Sequence, residues 1–195
     1  MKKIICPFIL LLPVLLNQES LQAKDQDSLY LYQAIAPKTT DDGKASTKGA
    51  TTYRKDQNGF VRRSGSLQSS QGNRLSTYRK NEHGFEQKSG SLRPSSGGRI
   101  NVFEKNKYGF EEKTGSLRRD SSRPNNLLIY RKNKYGFEEK TGSIRKATDK
   151  RQDIYEKNKY GFEEKVGSLR KNSSGGYDLY RKNKYGFEEK VGSIK

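Results

Sequence analysis

One unit written six times limits what this chain can fold into. It opens at Tyr53, Tyr78, Phe103, Tyr130, Tyr155 and Tyr180, at spacings of 25, 25, 27, 25 and 25 residues. The last copy reads Tyr180-Arg-Lys-Asn-Lys-Tyr-Gly-Phe-Glu-Glu-Lys-Val-Gly-Ser-Ile194. An aromatic residue, a first glycine, a phenylalanine, a second glycine, a serine and an aliphatic residue recur in all six copies. The later copies share an uninterrupted Asn-Lys-Tyr-Gly-Phe-Glu-Glu-Lys that begins at Asn106, Asn133, Asn158 and Asn183. A unit this short cannot bury an apolar face alone, so a period of this length marks an array in which neighbours complete one another's core.

Each unit reads as a β-hairpin. A short arm such as Leu179 to Lys182 precedes Asn183-Lys184-Tyr185-Gly186, whose asparagine and glycine suit a turn needing positive φ. Alternation along the longer arm sets Phe187, Glu189 and Val191 on one face, and Glu188, Lys190 and Gly192 on the other. The repeated structural glycines are thus of two kinds. Gly109, Gly136, Gly161 and Gly186 belong to turns, whereas Gly115, Gly142, Gly167 and Gly192 mark a bulge or a close-packing point in the long arm. Links such as Pro94 to Arg99 and Asn172 to Gly176 are loop chemistry.

A lone hairpin is marginal in water, so the six must pack together. An aromatic ladder of Tyr and Phe between neighbouring hairpins is the expected contact. The expected fold is all-β: a tandem β-hairpin repeat array over 53–195, as an open meander or a barrel- or propeller-like ring. Hydrophobic residues are 30% of the chain and the formal net charge is +18, which leaves disorder as the rival reading. The regular placing of aromatics and glycines argues against it. Residues 24–52 fit no copy and read as an N-terminal strand followed by a flexible link.

The first 23 residues have the parts of a secretory signal. Lys2 and Lys3 precede an apolar run from Ile4 to Leu16, and Ala23 is a small residue suited to the cleavage point. The run is too short to span a bilayer as a helix. The expectation is an exported protein (in the periplasm, at the cell surface or outside the cell) with no integral membrane span after cleavage. Cys6 lies inside that signal, so no disulfide can staple the rest.

The Tyr…Gly…Gly unit over 53–195 resembles the short tyrosine- and glycine-rich hairpin repeats of exported bacterial proteins, of which the YD repeats of Rhs-type shells are the best known. That resemblance implies an extracellular β-scaffold and carries over no catalytic residue.

Catalytic chemistry finds little support. His83 is the one histidine and replaces a turn residue of later copies, so a metal site or a Ser-His-acid set has nothing to build on. The pairs Glu111-Glu112, Glu138-Glu139, Glu163-Glu164 and Glu188-Glu189 sit next to one another on a strand. Their side chains diverge, whereas acid–base carboxylates must converge. The expectation is instead cross-strand pairing with basic residues of the short arm. Gly43-Lys44 lacks the upstream glycine of a phosphate-binding loop. The chain is therefore expected to be no enzyme and to need no cofactor.

Charge is the remaining functional signal. In a stacked array Lys107, Lys134, Lys159 and Lys184 form a stripe at the turns beside Tyr108, Tyr135, Tyr160 and Tyr185, with Arg131 and Arg181 nearby. Cations among aromatics engage polyanions through counterion release and ring contacts. Lipopolysaccharide, wall polymers, glycosaminoglycans and extracellular DNA are the candidate partners for a multivalent binding module. The alternative is a spacer or surface scaffold whose charge only keeps a repetitive β-protein soluble.

Overall fold

The computed structural model describes residues 49–56, 58–70 and 74–195. The expected signal over 1–23, and most of the expected N-terminal strand and link, lie outside them. The described residues form six hairpins: β1 (Ala50–Lys55) with β2 (Val61–Ser70), β3 (Arg74–Lys80) with β4 (Glu86–Ser95), β5 (Arg99–Lys105) with β6 (Glu111–Arg119), β7 (Leu127–Lys132) with β8 (Glu138–Thr148), β9 (Arg151–Lys157) with β10 (Glu163–Lys171), and β11 (Tyr177–Lys182) with β12 (Glu188–Ile194). Every strand pairs antiparallel with its sequence neighbours, and β12 returns to β1, so the array closes as a barrel. Of the ring and meander readings, the closed barrel is the one adopted. Closure removes the exposed sheet edges that would otherwise template aggregation.

The turns follow from asparagine and glycine. In the fourth hairpin Asn133 Oδ1 accepts from the backbone N–H groups of Tyr135 and Phe137, at 3.0 and 3.1 Å. The Gly136 N–H donates to the Asn133 carbonyl at 2.9 Å, and Gly136 has φ 85°. This is a turn closed by a left-handed residue, which glycine adopts without a Cβ penalty. Asp56 does the same work in the first copy, accepting from Asn58 and Phe60 N–H at 2.9 Å each.

Inside the barrel runs a belt of aliphatic side chains. Leu117, Ile129, Ile144, Ile154, Leu169, Leu179 and Ile194 are at most 2% exposed and belong to one continuous cluster. Cross-strand pairing sets them side by side: Leu117 faces Ile129, Ile144 faces Ile154, and Leu169 faces Leu179. Twelve strands enclose more room than an eight-stranded barrel that its side chains just fill. The absence of exposure along the belt means that it is nonetheless packed shut. Early copies are less apolar here. Thr52 and Thr77 replace the aliphatics of later copies and are hydrogen-bonded to Ser64 and Ser89 at 3.1 Å.

A register shift in each long arm overturns the simple alternation expected there. In the last hairpin Leu179 faces Gly192 but Tyr180 faces Lys190, so Val191 is the extra residue of a bulge. Beyond the bulge the faces exchange. Glu189 therefore shares the inner side with Gly192 and Ile194, while Glu188 and Lys190 face outward. Of the two readings of the second glycine, the close-packing point describes it, and the bulge falls on the residue before it. A Cβ on Gly115, Gly142 or Gly167 would lie 2.1–2.3 Å from the carbonyl oxygen of Tyr130, Tyr155 or Tyr180.

Candidate binding interface

Those glycines also mark where neighbouring hairpins part. Pairing between hairpins runs only as far as Gly65 with Arg79, Gly90 with Glu104, Gly115 with Arg131, Gly142 with Glu156, Gly167 with Arg181, and Gly192 with Arg54. Past these pairs each hairpin continues alone to its turn. Because the strands alternate in direction and the barrel closes, all six tips project from the same rim.

An outward-facing clasp ties each of the last four hairpins to the preceding one. Glu138 on β8 reaches across β7 to β6, where Lys113 Nζ lies at 2.9 Å and Arg118 at 2.5 Å. Ser116 Oγ donates to the same carboxylate at 3.2 Å. Arg118 lies flat over the Tyr130 ring, 4.0 Å from its centroid. Together these groups bury Ser116 completely. The set recurs as Glu111 with Lys88 and Arg93, Glu163 with Lys140 and Arg145, and Glu188 with Lys165 and Arg170. The expected partners of these glutamates on the short arm are thus replaced by cations of the preceding long arm. The short arm contributes instead the aromatic ring that the arginine covers.

Burial by itself raises the Glu138 pKa. Hydrogen bonds from Lys113 and Arg118, the Lys113 charge and the Ser116 hydroxyl more than reverse this, bringing it to about 2. Glu111, Glu163 and Glu188 are lowered for the same reasons. The second glutamate of each pair diverges as expected: Glu112 accepts from Asn106 Nδ2 at 2.6 Å and Glu164 from Asn158 Nδ2 at 2.5 Å.

The clasps stop short of the tips, whose side chains face solvent. Tyr108, Tyr135, Tyr160 and Tyr185 are 70–72% exposed, and Phe110, Phe137, Phe162 and Phe187 are 70–71% exposed. Phe60 and Phe85 occupy the same position in the first two copies, at 64% and 70%. This corrects the expected aromatic ladder. The aromatics that open the units lie in the wall, five of them under a cation, while the phenylalanine lies outside the core cluster. The signal for this was the place of the phenylalanine directly after the turn glycine, ahead of the point where hairpins meet.

Lys107, Lys134, Lys159 and Lys184 are at the tips as expected, each with its ammonium 4.9 Å from the ring centroid of the adjacent tyrosine. Arg131 and Arg181 are not with them. Both are half-buried in the strand wall, and Arg181 donates to Glu156 at 2.8 Å. A set that the sequence reading passed over takes their place. Lys55, Lys80, Lys105, Lys132, Lys157 and Lys182 end the short arm in every copy, and all are exposed. Between the second and third tips the basic residues Arg79, Lys80, Lys88, Lys105 and Lys107 line an open groove of about 660 Å³.

His83 is an exposed turn residue 3.4 Å from Glu82. Among the described residues no three His, Cys, Asp or Glu side chains are grouped to hold a metal ion. None of the family models, curated proteins or solved structures compared with this chain matches it.

Proposed function

We propose that this protein is a multivalent binding module, not an enzyme, and that its six hairpin tips form one cationic, aromatic contact surface for a polyanionic partner. The observation that carries this reading is the repetition at the rim. A lysine ends the short arm in every copy, and from the third copy onward a second lysine lies against an exposed tyrosine. The first glutamate of each late pair is consumed in the wall, where Glu111, Glu138, Glu163 and Glu188 are each engaged by at least two cations. Among the described residues no carboxylate clasps the lysines that end the short arms or those at the turns in this way, so their charges are displayed at the rim. Each tip alone is a weak site, and six on one rigid ring gain avidity without any strong single contact. An exported, surface-located chain that meets acidic polymers fits this design.

The test is binding of the purified protein to labelled heparin across a salt series, alongside the variant K107Q/K134Q/K159Q/K184Q. Binding that persists near physiological salt, weakens about tenfold or more in the variant and shows a shallower salt slope is the expected result. Weak binding that is gone by roughly 150 mM salt, where charges are screened beyond about 8 Å, would leave the charge as surface chemistry only.

A further inference from the structure

Lysine alone does not explain the rim. Every tip also carries a large apolar side chain, a phenylalanine: Phe60, Phe85, Phe110, Phe137, Phe162 and Phe187. Each is 64–71% exposed, although a side chain with no polar atom is the kind that folding normally removes from water. The tyrosine beside it is present only from the third copy on, so the apolar group is the more constant requirement. Nothing in the fold uses it, because the core belt is complete without it.

We infer that the rim docks on an anionic phospholipid bilayer, with the phenylalanines entering the acyl boundary and the lysines and tyrosines lying at headgroup level. This rests on the polyanionic reading above and names the surface. Three features favour a bilayer over another partner. The phenylalanines stand on convex tips around a ring, so a single protein partner would need six matching pockets in the same arrangement. A fluid surface meets all six without any symmetry of its own.

The charge is also complementary in layers. An exposed short-arm lysine flanks the phenylalanine at each tip, joined by a turn lysine at the last four, the arrangement by which interfacial segments combine apolar insertion with attraction to acidic lipids. Tyrosine, with its ring and its polar tip, is suited to the headgroup level.

The barrel wall, finally, excludes the spanning alternative. A transmembrane barrel has an apolar band outside and a polar interior. Here the aliphatic belt is inside, and Lys113, Arg118 and Glu138 are on the outer wall. Contact with the bilayer is therefore through the rim. Several identical weak anchors on one rigid body give the reversible, summed attachment that a single inserted ring would not.

The experiment is co-sedimentation of the full chain with vesicles of phosphatidylcholine mixed with phosphatidylglycerol, with vesicles of phosphatidylcholine alone, and in parallel with heparin. Its comparison variant is F110A/F137A/F162A/F187A. These side chains are exposed, so the variant should keep its melting temperature. The expected result is binding to the acidic vesicles in preference to the neutral ones, weakened about tenfold or more in the variant, with heparin binding unchanged. The chain has no tryptophan, so F137W gives a single reporter. Its emission should shift to the blue on the acidic vesicles and be quenched by lipids brominated in their chains. Vesicle binding that the phenylalanine variant leaves intact, or F137W emission that does not shift, overturns the inference. So does a dimer formed through the tips and dissolved in the variant. Heparin binding without vesicle binding overturns the bilayer and leaves the polyanionic reading standing; loss of both removes that reading too.

Discussion

The Arg118 guanidinium lies 4.0 Å from the centroid of the Tyr130 ring while it holds the Glu138 carboxylate on the next long arm at 2.5 Å. One planar cation thus joins three successive strands. Arg118→Ala removes the stack and leaves Glu138 with Lys113 and the Ser116 hydroxyl. The expected loss is about 1–2 kcal/mol, a fall in melting temperature of roughly 2–8 °C for a domain of this size. Arg118→Lys keeps the charge but not the flat fork, and should recover only part of the loss. A thermal melt of both variants decides the point, and equal melting of Arg118→Lys and wild type would show that the plane of the group is irrelevant.

Acid should open the barrel at these clasps. The folded pKa of Glu138, about 2, lies below its ordinary value of 4.5, so the ionised carboxylate favours the fold. That contribution is complete above about pH 4.5 and is lost as pH falls toward 2. Glu111, Glu163 and Glu188 shift in the same direction and add to the effect. Melting temperature measured from pH 6 downward should be level at first and then fall through this window. E138Q should be less stable at pH 6, with a shallower fall. A wild-type curve flat to pH 2 would contradict the clasp.

The closing seam between β12 and β1 lacks one of these carboxylates. Its place in the first copy is held by Val61, which is 54% exposed. The rest of the clasp is present: Ser193 is buried, and the Lys195 ammonium lies 5.7 Å from the Tyr53 ring centroid, where later seams have arginine. Val61→Glu should supply Ser193 and Lys195 with a carboxylate partner, beside Lys190, which already pairs with Asp178 at 2.8 Å, and stabilise the fold by about 0.5–1 kcal/mol. The gain should vanish in high salt, and denaturant melts at low and high ionic strength would show it. No gain at low salt would mean that backbone pairing alone sets the strength of the seam.

The two glycines of a copy should fail for different reasons. At Gly142 an added Cβ meets the Tyr155 carbonyl oxygen at 2.3 Å, so Gly142→Ala must force β8 and β9 apart, at about 2–3 kcal/mol or more. At Gly136 the space is open but φ is 85°, and Gly136→Ala should cost about 1–2 kcal/mol. Gly136→Asn should cost less, since asparagine tolerates that backbone. Urea unfolding of the three variants gives the order, and a Gly136→Ala loss larger than that of Gly142→Ala would reverse the assignment.

Much of this molecule was legible in its residues. The hairpins follow from Asn133 and Gly136 and their counterparts, because a turn chemistry repeated six times acts within a few residues and needs no distant partner. The divergence of Glu138 from Glu139 follows from the two-residue period of a strand. The bulge at Val191 escaped the pattern, since one extra residue reverses the faces without changing the residue types around it. That reversal put Glu189, rather than Glu188 and Lys190, on the inner side with Gly192.

Sequence by itself determined the unit, its turn, its two glycines and the excess of cations. Only the tertiary structure decided where one hairpin stops touching the next. That boundary lies at Gly142 with Glu156 and its equivalents, and it depends on how six twisted hairpins close on themselves. Everything before it, from Lys132 through Phe137, has a neighbour on one side at most. Phe137 is therefore displayed at the rim, though by composition it reads as core, while Tyr130 is drawn into the wall beneath Arg118. Local chemistry fixes a turn because its partners are adjacent in the chain. Exposure of an aromatic ring is settled by residues on other strands, and their approach is a property of the closed barrel.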